Sequence, residues 1–294
     1  MTQIKDTNLR GIVFMVFSMA AFAVADACIK LAAGTMSPAH TILVLIAGGA
    51  IVFGTMAKAQ GDTLVHRAAI APIMLLRYVA EIVGTFGMVL ALTYVPLSTL
   101  GAILQATPLL GVAGAVLFLG ERVSWRRWSA ILVGFVGVLM IIKPGAEGFE
   151  LGILWAVFAM FGLTARDLST RMIPRELTTS QVTAFTMLAI LPVAVLWCVL
   201  SGGTLLPQNA NWFLIFGMVG FGTLGYHLIT VSVRLAEVSV VSPFRYSRLL
   251  FLLGLGVTIF GERPDALTLA GAALIIASGI YSMWRDKIVK SPKH

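Results

Sequence analysis

The fold of this chain is indicated by a stretch near its start, GIVFMVFSMAAFAVADACIK (residues 11–30), which returns in altered form as GILWAVFAMFGLTARDLSTR (residues 152–171). The offset of 141 residues also holds much further along the chain. The matched positions are Gly11-Ile12 with Gly152-Ile153, Val16-Phe17 with Val157-Phe158, Met19 with Met160, Asp26 with Asp167, Lys30 with Arg171, Gly84 with Gly225, and Gly120-Glu121-Arg122 with Gly261-Glu262-Arg263. A register that holds from residue 11 to residue 122 predicts a duplicated structural unit.

The composition is that of a membrane protein. Of the 294 residues, 59% are hydrophobic and 12% are charged, and the mean hydropathy is +0.95. Soluble domains are about 25% charged, so this class is excluded. Apolar runs of about twenty residues, enough for a helix to cross a bilayer, recur along the chain. A β-barrel would instead show segments of about ten residues in which apolar and polar residues alternate. The sequence therefore predicts an all-α membrane protein.

We predict ten transmembrane helices, separated by turn-forming residues such as Pro96 and Pro264. Their predicted bounds are Gly11–Ala33, His40–Ala57, Ile70–Thr93, Ser98–Leu119, Trp128–Ile142, Leu151–Thr170, Gln181–Leu200, Trp212–Leu235, Val238–Phe260 and Ala266–Trp284. The chain then divides into an N-terminal segment (1–10), a first five-helix repeat (11–142), a second repeat (151–284) and a basic tail (285–294).

The positions of lysine and arginine predict the orientation, because short loops rich in these residues stay in the cytoplasm. With the three arginines inside helices left out, fifteen of these residues lie on the side of the chain termini and three on the other side. We therefore predict that both termini are cytoplasmic, which requires an even number of spans.

Five helices per repeat is an odd number, so the second repeat enters the membrane from the opposite side. Inverted repeats related by an axis in the membrane plane are typical of secondary transporters. The two repeats then supply two equivalent packings, and a central cavity between them opens first to one side and then to the other.

The chain resembles the drug/metabolite transporter superfamily and, within it, the EamA branch of ten-helix carriers. The resemblance rests on the doubled five-helix unit, on the end of the third predicted helix and on the ends of the fourth and ninth. These ends read Ala91-Leu92-Thr93-Tyr94, Leu119-Gly120-Glu121-Arg122 and Phe260-Gly261-Glu262-Arg263. Within the branch, the chain most resembles the YddG-type bacterial exporters of aromatic and other neutral amino acids.

The resemblance implies a basket-like bundle in the bacterial inner membrane, with export from cytoplasm to periplasm. It also implies a central cavity lined chiefly by predicted helices one, three, four, six, eight and nine. Small four-helix relatives depend on a glutamate midway along helix one, where this chain has apolar residues. Proton antiport of their kind is therefore not implied.

The first candidate site is on the third predicted helix, where Arg77 and Glu81 are four residues apart and Tyr78 is nearby. This spacing allows an ion pair. Ionisable groups inside a membrane persist where they face a cavity or a partner. The pair either presents opposite charges to a zwitterionic solute or holds helices together.

The second candidate site is Arg245, Tyr246 and Arg248 in the ninth predicted helix, just after Pro243. Proline leaves a carbonyl unpaired and can kink a helix. The guanidinium group suits a carboxylate, so these arginines are candidates for anchoring an anionic part of the substrate. The alternative is that they extend toward lipid headgroups.

The charges of these two sites have no counterpart in the other repeat. The offset aligns Arg245 with Leu104, Arg248 with Thr107, Arg77 with Met218 and Glu81 with Gly222. Symmetric packing requires repeated residues, whereas an asymmetric solute requires asymmetric chemistry. The unmatched charges are therefore the better candidates for substrate binding.

Four residues are predicted to have structural or gating roles. Asp26 and Asp167 match each other, which favours ion pairs within the fold, with Lys30, Arg166 or Arg171 as partners. Pro243 is predicted to kink the ninth helix, and Pro108 of the fourth is assigned a structural or gating role.

The remaining candidates are Gln105, Trp155, Tyr226 and His227. Tyrosine and tryptophan can stack on an aromatic solute and offer a polar tip, and histidine can titrate near neutral pH. For each of them, packing within the bundle or against lipid is the alternative.

The sequence lacks HExxH, GxSxG and Walker motifs, and Cys28 and Cys198 have no metal-binding or disulfide spacing. No enzyme activity, metal or cofactor is therefore predicted. We predict a secondary transporter that exports small organic metabolites, preferentially aromatic or neutral amino acids, as a monomer in the lipid bilayer and without nucleic acid. A carrier for another metabolite or drug class is the alternative, followed by a membrane-embedded enzyme or a channel.

Overall fold

The computed structural model describes residues 2–290 except 65, 121–123, 144–150, 175, 203–210 and 237. Every regular element in this part of the chain is a helix. Glu121 and Arg122 of the first repeated motif lie outside the described residues, as do the predicted cytoplasmic cations Arg175 and Lys293.

The helices follow the predicted order with two additional breaks. They are α1 (Thr2–Ala32), α2 (Pro38–Ala59), α3 (Pro72–Tyr94), α4 (Leu97–Leu104), α5 (Thr107–Leu119), α6 (Trp125–Ile142), α7 (Ile153–Met172), α8 (Thr179–Leu200), α9 (Trp212–Leu235), α10 (Val238–Val241), α11 (Ser247–Phe260) and α12 (Ala266–Lys290). Short 3₁₀ segments cover Arg67–Ile70 and Ser242–Tyr246.

Several helices begin where a short polar side chain caps the first turn. Ser37, Thr178 and Asn211 each accept a hydrogen bond from a backbone N–H at the start of α2, α8 and α9. Such caps satisfy donors that have no partner within the helix.

The fourth and ninth predicted helices are each broken, at corresponding positions of the two repeats. The fourth divides into α4 and α5 around Gln105, and the ninth divides into α10, a 3₁₀ segment and α11. Pro108 cannot donate to the preceding turn, and Pro243 lies in the first turn of the 3₁₀ segment. The sequence predicted the disturbance at Pro243, but its single continuous fourth helix was wrong.

Glycine ends both broken helices. Gly120 follows α5 with φ of 67°, and Gly261 follows α11 with φ of 63°. This left-handed conformation favours glycine, which lacks a Cβ atom. The glycine shared by the two repeated motifs is thus a helix C-cap.

Helix packing is symmetric under exchange of the repeats. Helix α1 packs along α9, and its counterpart α7 packs along α3. Helices α2 and α8, α6 and α12, and α4 and α11 also pack against each other. The first two contacts each join an element to its own counterpart, and the third joins parts of the fourth and ninth predicted helices, which correspond to each other.

Seven helices are long and apolar enough to cross a membrane, judged by length and composition among the described residues. They cover Thr7–Ala32, Pro38–Ala59, Pro72–Tyr94, Leu97–Phe118, Thr179–Leu200, Trp212–Ser232 and Pro243–Phe260. Trp128–Ile142 and Ala266–Ser282 are shorter apolar helices. The count of ten spans stays a prediction.

The two ends of the bundle differ in charge. We call the end at which α1 begins and α12 ends the basic end, and the other the opposite end. Arg10, Lys58 and Arg171 belong to the basic end, whereas Lys30 and Lys143 belong to the opposite end.

Candidate functional site

Five charged side chains form a continuous network toward the basic end of the bundle. Glu81 Oε2 lies 3.9 Å from Arg77 Nη2, and Glu81 Oε1 lies 3.7 Å from Arg166 Nη1. Arg166 in turn contacts Asp167 at 2.9 Å, and Asp167 Oδ2 lies 4.0 Å from Arg245 Nη2. The network joins α3, α7 and the 3₁₀ segment Ser242–Tyr246. It therefore crosses from the first repeat to the second.

Hydroxyl groups hold Arg77 in place from the second repeat. Its Nε donates to Thr186 Oγ1 of α8 at 3.1 Å, and its Nη1 donates to Thr170 Oγ1 of α7. Charges removed from water require such partners. Tyr226 of α9 lies beside the network, with its hydroxyl 2.8 Å from Thr183 Oγ1.

Exposure increases along the network from α3 toward the 3₁₀ segment. Arg77 and Glu81 each expose 6% of their side-chain surface, Arg166 exposes 30%, Asp167 38% and Arg245 44%. The Arg77–Glu81 pair is therefore the buried end of the network, and Asp167 and Arg245 are its most exposed groups.

Arg248 forms a second ion pair, deeper in the bundle. Its Nη2 donates to Asp26 Oδ2 of α1 at 2.5 Å, and its guanidinium lies over the Phe22 ring at 5.4 Å. Asp26 is 4% exposed. The buried Nε of Arg248 has no hydrogen-bond partner among the described residues.

The two matched aspartates contact two of the three unmatched arginines. Asp26 contacts Arg248 in the first turn of α11, and Asp167 lies near Arg245 in the 3₁₀ segment Ser242–Tyr246. Asp167 also pairs with Arg166, as predicted. The predicted partners of Asp26 were wrong, because Arg248 from the other repeat reaches it.

Three candidates are placed outside the network. The Tyr78 hydroxyl donates to the Ala69 carbonyl at 2.8 Å, which ties α3 to the 3₁₀ turn before it. Tyr246 is buried against α12, with its hydroxyl 1.7 Å from where a Cβ of Gly279 would be. His227 is exposed. Packing accounts for the placement of Tyr78 and Tyr246.

The other candidates lie at the helix break and at the opposite end. Gln105 is buried at the end of α4, and Pro108 lies in the first turn of α5. Trp155 lines a cavity of about 360 Å³ with Tyr94, Leu151 and Gly152 at the opposite end. Trp155 is therefore remote from the charged network.

The sequence interpretation missed the threonines that hold Arg77. Thr186 recurs with Thr179 and Thr183 at helical spacing in α8, whereas Thr170 belongs to α7. This row of threonines on one face of α8 was the signal in the sequence that could have predicted a polar partner for Arg77. Among the described residues, no three His, Cys, Asp or Glu side chains form a metal-ligand set.

Comparison with known proteins identifies the family. A family model described as the EamA-like transporter family matches residues 9–143 and again residues 150–284. The chain belongs to the EamA-like transporter family. The two matched ranges are offset by 141 residues, the offset of the internal repeat.

Individual EamA-like relatives are named for different small metabolites. The S-adenosylmethionine uptake transporter of Rickettsia felis is 29% identical over 69% of this chain and 68% of its own length. The riboflavin transporter of Vibrio cholerae is 28% identical over 97% and 96%. The pseudopaline exporter CntI of Pseudomonas aeruginosa is 27% identical over 94% and 97%.

One solved crystal structure has the same fold, with a TM-score of 0.63 and 20% identity over 95% of this chain and 98% of the other. Family and relatives together indicate a membrane transporter of small metabolites rather than an enzyme. They do not support the narrower resemblance to YddG-type amino-acid exporters.

Proposed function

We propose that this EamA-like transporter is a secondary carrier that exports small organic metabolites by alternating access, and that its substrate is zwitterionic. The substrate carboxylate binds Arg245 and its ammonium group binds Asp167. Amino acids, aromatic or neutral, are the first solutes to test. In this proposal the protein lies in the bacterial inner membrane with both termini cytoplasmic.

One observation supports a zwitterionic substrate. Arg245 and Asp167 face each other at 4.0 Å, and they are the most accessible groups of the network. A separation of 4.0 Å is too long for a direct hydrogen bond, so both groups keep capacity for a ligand. Opposite charges side by side complement the two ends of an amino-acid group.

The buried end of the network supports this proposal. The Arg77–Glu81 pair and the threonines hold Arg166 and Asp167 in position, so the site is preorganised before the solute arrives. The helix break places Arg245 in a 3₁₀ segment within the bundle. Broken helices at corresponding positions of two repeats are typical of transporter binding sites.

The test is a transport screen in proteoliposomes with labelled amino acids, S-adenosylmethionine and riboflavin. We expect saturable uptake of at least one zwitterionic solute, accelerated by unlabelled solute on the other side. A channel would not show this acceleration. Arg245→Ala should slow the uptake at least tenfold, because a charge-assisted hydrogen bond contributes about 1.5–3 kcal/mol.

Arg263→Ala is the matched control, since Arg263 is exposed at the opposite end. It should leave transport unchanged. If no solute moves, the carrier function is wrong. If zwitterions move equally well in Arg245→Ala, the assignment of the site is wrong and the carrier function stands.

A further inference from the structure

Glu262, in the second copy of the Gly-Glu-Arg motif (Gly261-Glu262-Arg263), caps a helix of the first repeat with its carboxylate. Glu262 follows α11, and its Oε1 accepts a hydrogen bond from Leu97 N at 2.6 Å. Its Oε2 accepts from Ser98 N at 2.9 Å and from Ser98 Oγ at 2.7 Å. These donors form the N-terminus of α4, which has no side-chain cap within its own repeat. A carboxylate is favourable there because it satisfies free N–H groups and opposes the helix dipole.

Lys30 completes this contact from α1. Its Nζ donates to the Val95 carbonyl at 2.6 Å and to the Leu92 carbonyl at 3.4 Å, at the C-terminal end of α3. It also lies 3.9 Å from Glu262 Oε1 and 5.5 Å from the centre of the Phe260 ring. The turn between α3 and α4 is thus bound by a cation on its carbonyl side and by an anion on its N–H side.

The ion pair of Asp265 with Lys143, at the same end of the bundle, differs from the pair of Glu262 with Lys30. Asp265 also caps a helix, accepting from Thr268 N at 2.7 Å, and it also pairs with a lysine, Lys143 of the first repeat. The helix that Asp265 caps is its own α12, however, and its side chain is 50% exposed. Glu262 is 10% exposed and caps a helix of the other repeat.

We propose that Glu262 and Lys30 are the gate of the opposite end, and we call them the clamp. They hold α1, the α3–α4 turn and the end of α11 together. The clamp rests on the proposed function, because alternating access requires each end to close and open in turn. When the opposite end opens, Glu262 leaves α4, and water replaces it on the exposed N–H groups.

The positions of the two polar layers agree with this role. The clamp is closed and little exposed, whereas the network near the basic end leaves Asp167 and Arg245 accessible. Helix α4 runs from the clamp to the break in the fourth predicted helix and packs against α7, the helix that carries Arg166 and Asp167. Release of its N-terminus therefore frees one wall of the passage between the repeats.

The test uses a cysteine at Leu104, a residue that is 8% exposed and about 10 Å along α4 from Leu97. Leu104→Cys is placed in a Cys28→Ala, Cys198→Ala background and labelled with a membrane-impermeant thiol reagent from each side. We expect Glu262→Gln to raise the labelling rate from the opposite end at least fivefold. Labelling from the basic end should fall, because a larger share of the molecules is then closed there.

Asp265→Asn is the matched control and should change neither rate. Lys30→Met should act in the same direction as Glu262→Gln, by about threefold, since it leaves the cap of α4 in place. If Glu262→Gln does not fold, the labelling rates of Lys30→Met test whether the clamp is the gate. Unchanged rates, or rates that rise from both sides, would show that the clamp is only a structural cap.

The clamp and the proposed function fail in distinguishable ways. If the transport function is wrong, the unsubstituted protein moves no solute in proteoliposomes. If the clamp is wrong, solute still moves, and the reciprocal change in labelling is missing.

Discussion

At the scale of single residues, the described charges of the site each face an opposite charge or a hydroxyl. Glu81 lies between two arginines, and Asp167 lies between Arg166 and Arg245. A buried charge that loses its partner costs several kcal/mol, whereas a neutralised pair costs much less. The network is therefore stable only as a set.

Glu81→Gln should destabilise the protein, because it leaves Arg77 and Arg166 facing an amide instead of a carboxylate. We expect a loss of about 3 kcal/mol, measured as a lower thermal midpoint in detergent. The double variant Arg77→Met, Glu81→Gln should recover part of the loss, since the buried cation is removed as well. A double variant less stable than both single variants combined would contradict the ion pair.

Asp26→Asn should weaken transport without affecting the Arg245 site directly. It leaves Arg248 without its anionic partner, and Arg248 already has one buried N–H that lacks an acceptor. We expect at least a fivefold lower rate in proteoliposomes, because charge-assisted hydrogen bonds contribute about 1.5–3 kcal/mol. Unchanged transport and thermal midpoint would mean that this pair has no role.

At the scale of helices, close backbone contact joins the repeats. Gly162 of α7 and Gly84 of α3 are so close that a Cβ on Gly162 would lie 2.3 Å from Gly84 N. Small residues allow such an approach between membrane helices. The α3–α7 contact also brings Glu81 within reach of Arg166.

Gly162→Ala should therefore push α3 and α7 apart. We expect a net destabilisation of about 1–3 kcal/mol in thermal unfolding, and slower transport, because overpacking outweighs the better helix propensity of alanine. Gly54 of α2 is the matched control, since a Cβ there has no atom within 4 Å. Gly54→Ala should be neutral or stabilising by about 0.5–1 kcal/mol. Equal effects of the two substitutions would contradict the close approach.

At the scale of the molecule, the exchange symmetry of the helix pairs is what an inverted duplication requires. The α1–α9 contact and the α7–α3 contact are equivalent, and the α2–α8 and α6–α12 contacts each join an element to its own counterpart. Two equivalent packings provide two states of similar energy, which is the physical basis of alternating access.

The predicted orientation can be tested directly. Tags on the N-terminus and on the C-terminus should both be accessible from the cytoplasmic side only, because positively charged loops stay there. A tag in the loop after α6 should be accessible from the other side. Tags on the two termini that become accessible from opposite sides would contradict the inverted repeat.

The sequence by itself determined the helical membrane class, the duplication and the family resemblance. These follow from the apolar runs and from the constant offset between positions with identical residues, both of which can be read directly from the sequence. It also indicated the Arg77–Glu81 pair, because a spacing of four residues brings side chains together on a helix.

Only the tertiary structure decided which partners meet across the repeats. Asp26 and Arg248 are 222 residues apart, and Glu262 caps a helix that begins 165 residues before it. The offset of 141 relates residues that are equivalent, not residues that touch, and the partners predicted for Asp26 did not include Arg248. Contacts between distant residues of this kind exist only once both halves are packed together.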